Sequence, residues 1–177
     1  FLHQLHNIDI TSAEIANMGL GTVPPPLEEV KETWINSFSW LKSNLDDENY
    51  CKLKVLWKEA ENFWEFVVNP AVLVHGDMWF ENILVDKDFN VVSIIDFGNA
   101  AIGDKAIDFA VQNYVNNQFR DEVIRQYIRL GGDIGENLEK RMKYLLAIRE
   151  IYGLEHQIMI NDIDVDTLDK IKRMLSQ

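Results

Sequence analysis

The sequence predicts an α+β chain that is mainly helical, with a small β-hairpin set between two helical stretches. Two observations predict it. Apolar residues recur at spacings of three and four through 27–45, 49–67 and 136–155, the stripe of an amphipathic helix. Three β-type runs, 71–75, 83–86 and 91–95, are too short and too β-branched to be helices. The 177 residues suit one domain or one lobe with a real core.

The elements follow in order. Phe1–His6 opens directly on an apolar pattern, as the end of a longer helix would. Thr11-Ser12 starts a short helix with Glu14 in its first turn. Gly19, Gly21 and Pro24-Pro25-Pro26 make a loop. The next helix carries Val30, Trp34, Phe38 and Leu41 on one face, and Asp46-Asp47 breaks it. Residues 49–67 form another through Leu53, Leu56, Trp57, Phe63 and Phe66, and Pro70 marks the switch to strands. After the strands, helices are expected near 104–117, 119–130, 136–155 and 165–175, with Gly131-Gly132 between two of them. In 136–155, Leu138, Met142, Leu145, Ile148 and Ile151 share a face.

The chemistry gathers in the strand region. The apolar run 71–75 delivers the chain to His75-Gly76-Asp77. The runs 83–86 and 91–95 flank Lys87-Asp88-Phe89-Asn90, which reads as a hairpin turn. If the turn centres on Phe89, Val85 faces Ser93, Ile83 faces Ile95 and Asn82 faces Asp96. Opposed residues lie about 4.5–5.5 Å apart at Cβ on one face, so an amide oxygen and a carboxylate would meet at the open end. Such hard oxygens suit Mg²⁺, which also recruits phosphate oxygens. Asp77 lies near enough to act as a base beside them, the equipment phosphoryl transfer needs. A slip of one residue would separate Asn82 from Asp96.

The stretches His75-Gly76-Asp77-Met78-Trp79-Phe80-Glu81-Asn82, Ile95-Asp96-Phe97-Gly98 and Gly103-Asp104-Lys105-Ala106-Ile107-Asp108-Phe109-Ala110 resemble the aminoglycoside phosphotransferase and choline kinase-like family. Those small-molecule kinases share the protein kinase fold. The resemblance implies a C-terminal lobe of that fold spanning 1–177, with a helical segment 1–70, a catalytic loop and hairpin 71–103, and helices 104–177. It implies Asp77 as catalytic base, Asn82 and Asp96 as Mg²⁺ ligands, His75 as a structural residue of the loop, and Asp108 as its support. ATP or GTP would be the phosphate donor and a small-molecule hydroxyl compound the acceptor, an aminoglycoside-like amino sugar in the first place. Choline, ethanolamine, homoserine, ketosamine and macrolide acceptors stay open. The family often has Leu-His after the Asp, where this chain has Met78-Trp79.

Simpler readings stand beside these. Asp77 and Asp96 taken singly are ordinary turn residues. Asp104 reads as a helix N-cap rather than a metal ligand. Asp108 is either solvent-facing or buried with partners, and the resemblance favours burial. Trp79 and Phe80 read as packing residues, with substrate stacking open for Trp79. His3, His6 and His156 are scattered and support no site. Glu150 and Glu155 belong to an acidic stretch, Asp133 to Asp166, that is either a solvated surface or part of an acceptor cleft for a cation.

A net charge of −12 without a basic stripe argues against a nucleic-acid partner. No apolar run approaches the ~20 residues of a membrane span, and no leader pattern opens the chain. The single cysteine, Cys51, fits a reducing cytoplasm. No glycine-rich phosphate loop and no strand-borne lysine held by a glutamate appear here, so a nucleotide-binding N-terminal lobe is expected as a missing partner. These residues alone are expected to be inactive. A non-catalytic kinase-like binding module is the alternative from another class, and a metal-dependent hydrolase is a weaker third, lacking a dense ligand set.

Overall fold

Strand propensity is confined to short runs, and the computed structural model, which describes residues 1–64 and 70–176, uses each of them. The strands are β1 (Gly21–Val23), β2 (Val72–Val74), β3 (Ile83–Val85), β4 (Val91–Ile94) and β5 (Ala101–Gly103). The helices among the described residues are α1 (Leu2–Leu5), α2 (Ala13–Ala16), α3 (Leu27–Asn44), α4 (Asp47–Trp64), α5 (Ala106–Ala110), α6 (Asn117–Arg129), α7 (Leu138–Met159) and α8 (Thr167–Leu175). They divide into two units, one of Phe1–Pro24 with Asn69–Met142, the other of Pro25–Val68 with Lys143–Gln177.

The first unit holds both sheets. In one, β5 lies between β1 and β2, parallel to the first and antiparallel to the second. All three residues of β2 are buried, and α1 packs on this strand with Leu2 and Leu5 inward. Ile107, Phe109 and Val111 extend the same core. The expected loop 19–26 therefore contains a strand, and so does the unassigned segment 101–103. Both are specified by tertiary contact rather than propensity. At Gly103 any Cβ would lie 1.7 Å from the Val23 carbonyl oxygen, so only glycine lets β1 approach. The helix expected over 104–117 is instead α5 followed by a 3₁₀ turn at Val111–Tyr114. A new helix starts where Asn116 accepts from the Phe119 amide at 2.8 Å, an N-cap that ends one helix by beginning another.

The second unit is helical. Asp46 starts α4 by accepting from the Asn49 amide (2.8 Å) and side chain (2.7 Å), and those bonds hold its carboxyl below the usual carboxylate range. Trp34 stacks on Trp57 with ring centroids 4.7 Å apart. Leu41, Leu53, Ile151, Leu154 and Ile171 are fully buried here. The apolar face expected on 136–155 is realised along α7, with Leu138 and Met142 buried in its first-unit part and Leu145, Ile148 and Ile151 buried in its second-unit part. The expected end of the 49–67 helix, with Phe66, falls outside the described residues. Among the described residues no helix is long and apolar enough to cross a membrane.

Candidate active site

The site begins with a buried strand that ends in a tight turn. β2 carries the chain into His75, fully buried, and Gly76, whose φ of 77° is left-handed. A Cβ on Gly76 would lie 2.2 Å from the Asn99 carbonyl oxygen, so the turn tolerates no side chain there. Gly76→Ala should cost about 1–3 kcal/mol from the left-handed strain alone, with the backbone clash added. A urea midpoint equal to that of the unmodified protein would contradict this.

Both nitrogens of the His75 ring are used. Nδ1 accepts from the Asp77 amide at 3.3 Å, which puts the ring proton on Nε2, and Nε2 donates to the Ile95 carbonyl at 3.0 Å. The Phe97 ring lies 4.5 Å from the imidazole, centroid to centroid. Asp108, on α5 and wholly buried, binds the same turn from the other side. Its Oδ2 accepts from the His75 amide (2.9 Å) and its Oδ1 from the Gly76 amide (2.8 Å). A buried carboxylate with charge-assisted bonds to two main-chain amides fixes the path of the turn.

A third donor reaches Asp108 from the end of α1. His6 is buried, its Nε2 donates to Asp108 Oδ2 at 3.1 Å, and its Nδ1 pairs with the Tyr127 hydroxyl at 3.1 Å. Burial pushes the Tyr127 phenol above its ordinary range, which keeps its O–H available to His6. His6 is thus not a stray histidine, which corrects the sequence reading. The signal was present: His6 shares the i, i+3, i+4 face of Leu2 and Leu5, which points inward.

The hairpin differs from its expected register. Ile83 pairs with Ile94 and Leu84 with Ser93, but Val85 pairs with Val91, so Val92 is an extra, bulged residue. The reason lies in the turn. Asp86 and Asn90 close it, with the Asp86 amide donating to the Asn90 carbonyl (2.9 Å) and the Asp86 carboxylate accepting from the amides of Asp88 (2.8 Å) and Asn90 (2.9 Å). Those bonds depress the Asp86 carboxyl and set the turn centre one residue before Phe89. The bulge recovers half of the shift. Asn82 consequently stands opposite Ile95, whose amide donates to the Asn82 carbonyl at 3.0 Å, and the direct Asn82–Asp96 pair is not formed.

The three motifs nevertheless converge on one residue. Ile95 gives its amide to Asn82 and takes the His75 imidazole on its carbonyl, and Asp96 is the next residue. Asp96 adopts a left-handed conformation, φ 61° and ψ 68°, which turns the chain out of the ladder, and its Oδ1 accepts from the Gly98 amide at 3.3 Å. Its carboxylate is exposed, Asp77 is half-buried, and Asn82 is buried. Asn82 donates its Nδ2 to the Asp77 carbonyl at 2.8 Å, so its Oδ1 is the end turned away from that main chain.

The remaining candidates are placed as follows. Asp104 Oδ1 accepts from the Ala106 amide (2.9 Å) at the start of α5 and from Arg141 Nη1 (2.8 Å), a capping role paired with a buried guanidinium that the sequence reading did not single out. Trp79 is half-buried beside Phe80 and Tyr114. Glu150 and Glu155 lie on α7 in the second unit. Glu155 accepts from Thr33 Oγ1 and Asn36 Nδ2, each at 2.6 Å. Among the described residues no group of three or more His, Cys, Asp or Glu is arranged to hold a metal. A site here would draw on the Asn82 amide oxygen and on phosphate oxygens as well as Asp96. Those are the hard donors Mg²⁺ prefers.

A buried strand, a left-handed glycine turn pinned by a helix carboxylate and a hairpin that ends on Asp-Phe-Gly define a protein-kinase-like phosphotransferase framework. Residues 1–145 match the phosphotransferase enzyme family (APH), and the chain belongs to that family. Macrolide 2'-phosphotransferase type I superposes with a TM-score of 0.69 at 20% identity, over 98% of this chain and 56% of that one. The GDP and kanamycin complex of APH(2")-IIia superposes at 0.74 and 17% identity, over 99% and 58%. The uncharacterized protein YcbJ of Bacillus subtilis (strain 168) is 23% identical over 148 residues, 82% of this chain and 46% of that protein. The chain thus spans about half the length of the proteins it matches.

Proposed function

We propose that this chain supplies the base, the metal ligands and the acceptor side of a small-molecule phosphotransferase, which moves the γ-phosphate of ATP or GTP to a hydroxyl of an aminoglycoside-like amino sugar. The observation that carries this is the meeting of His75–Asp77, Asn82 and Asp96 about Ile95. Asp77 orients the acceptor hydroxyl and takes its proton. Asn82 and Asp96 would hold Mg²⁺, which when bound neutralises phosphate charge. His75 and Asp108 keep the Asp77 turn in place. A cytoplasmic setting suits the exposed free thiol of Cys51 and the supply of nucleotide.

Family membership supports phosphoryl transfer, and the GDP and kanamycin complex of a structural neighbour supports a nucleotide donor and an amino-sugar acceptor. The test is a phosphorylation screen of the full-length protein, with Mg·ATP and Mg·GTP, against a panel of hydroxyl compounds. Transfer to an amino sugar is expected, and no transfer to any compound would sink the reading. The 177 residues alone should bind Mg·ATP only weakly, because a nucleotide-binding half of the kind kinases use is not among them. Micromolar binding in calorimetry would overturn that expectation.

A further inference from the structure

Aromatic side chains follow the Asp77 turn without joining the buried core. Trp79 is half-buried and Phe80 is 50% exposed. The main chain ties Trp79 to the turn. The Trp79 amide donates to the Asp77 carbonyl at 2.9 Å, so the indole leaves the chain at a fixed offset from the carboxylate. Met78, between them, is buried, and its carbonyl accepts from Nε2 of the fully buried Gln112, which also donates to the Asp108 carbonyl at 3.0 Å. Gln112 lies in the 3₁₀ turn Val111–Tyr114. The turn that grips Met78 therefore also delivers the Tyr114 ring to Trp79, with centroids 6.0 Å apart and planes at 75°. Phe80 meets Trp79 edge-on at 4.9 Å.

Along the motif segment nearly all charges are acidic, and the cation bonded beside Tyr114, Arg120, which donates to Asn113 at 3.0 Å, is paired with Asp121. From Pro70 to Gly103 the acidic residues are Asp77, Glu81, Asp86, Asp88 and Asp96, and Lys87, exposed in the hairpin turn, is the sole basic side chain besides His75. An anionic acceptor would find no partner in this segment. A cation would find carboxylates and aromatic rings, and ring faces attract ammonium groups by about 0.5–2 kcal/mol.

We propose that Trp79, backed by Tyr114, is a specificity-determining residue that selects acceptors carrying an ammonium group near the reacting hydroxyl. The inference rests on the phosphotransferase reading above and adds to it a recognition role for these two rings. Matched acceptors that differ in charge test it in the full-length protein with Mg·ATP and Mg·GTP. The pairs are choline with its uncharged isostere 3,3-dimethylbutan-1-ol, and kanamycin with its fully N-acetylated form, with kcat and KM measured separately. The unmodified protein should favour the charged member of at least one pair. Trp79→Leu should raise KM for that member about 3- to 30-fold and change KM for the neutral one less, with the melting temperature recorded alongside. If Trp79→Leu does not fold, Trp79→Phe carries the test, with KM raised about two- to fivefold for the charged member alone. Equal KM changes for both members, or a fall in kcat with KM unchanged, overturn the inference. Transfer to neutral hydroxyl compounds without any to amines removes the inference and leaves the phosphotransferase reading standing. No transfer to any compound removes both.

Discussion

Replacing Asp77 by alanine in the full-length protein will lower kcat about 100- to 10,000-fold, the range that a positioned base supplies. The fold should survive, because the turn has several other supports. The turn is held by Asp108 on the amides of His75 and Gly76, by His75 on the Ile95 carbonyl, and by Asn82 on the Asp77 main chain. The Asp77 carboxylate is only half-buried. Asp77→Asn sharpens the test, since it keeps the shape and removes the basicity. Turnover within tenfold of the unmodified protein in either variant would rule out Asp77 as the base.

Asp108→Ala should act in the opposite way, on the fold first and on activity as a result. Asp108 is wholly buried and accepts from His6, His75 and Gly76. Removing one partner of a buried charged network leaves donors without acceptors and costs about 3–5 kcal/mol. Asp108→Asn restores one oxygen but sets an NH₂ group against a donor, so it should recover only part of the loss. The reading is a lower urea midpoint together with faster amide exchange at His75 and Gly76. Unchanged exchange at those two amides would show that Asp108 does not hold the turn.

The legible parts of this molecule are the local ones. A β-branched run ending in His-Gly-Asp, a five-residue spacing to Asn82 and the Asp-Phe-Gly after a second strand are all visible in the chain, because each depends on its own neighbours. The amphipathic face of α7 is legible for the same reason. The hairpin register is not, since it turns on one carboxylate. Asp86 closes the turn on Asn90 and moves its centre, and the Val92 bulge answers that shift. Neither effect appears in a count of polar and apolar residues. β1 and β5 are hidden differently. Gly21–Val23 and Ala101–Gly103 have weak strand propensity and pair because Gly103 admits the Val23 carbonyl. The resemblance favoured burial of Asp108, but its partnership with His6 joins residues 102 positions apart, beyond any local pattern.

That separation bears on the order in which the protein folds. The His6–Tyr127 bond spans 121 positions, and the Asp108 bond to the His75 amide spans 33. Closing long loops costs chain entropy before any contact repays it, so contacts distant in sequence tend to form late. The hairpin between Ile83 and Ile94 can close early, carrying Asn82 and Asp96 with it. Asp108, which holds the Asp77 turn, gains its third donor only when α1 has docked and brought His6 to it. A chain interrupted near its first helix would therefore keep its hairpin while Asp108, the carboxylate that pins the neighbouring turn, loses one of its three donors.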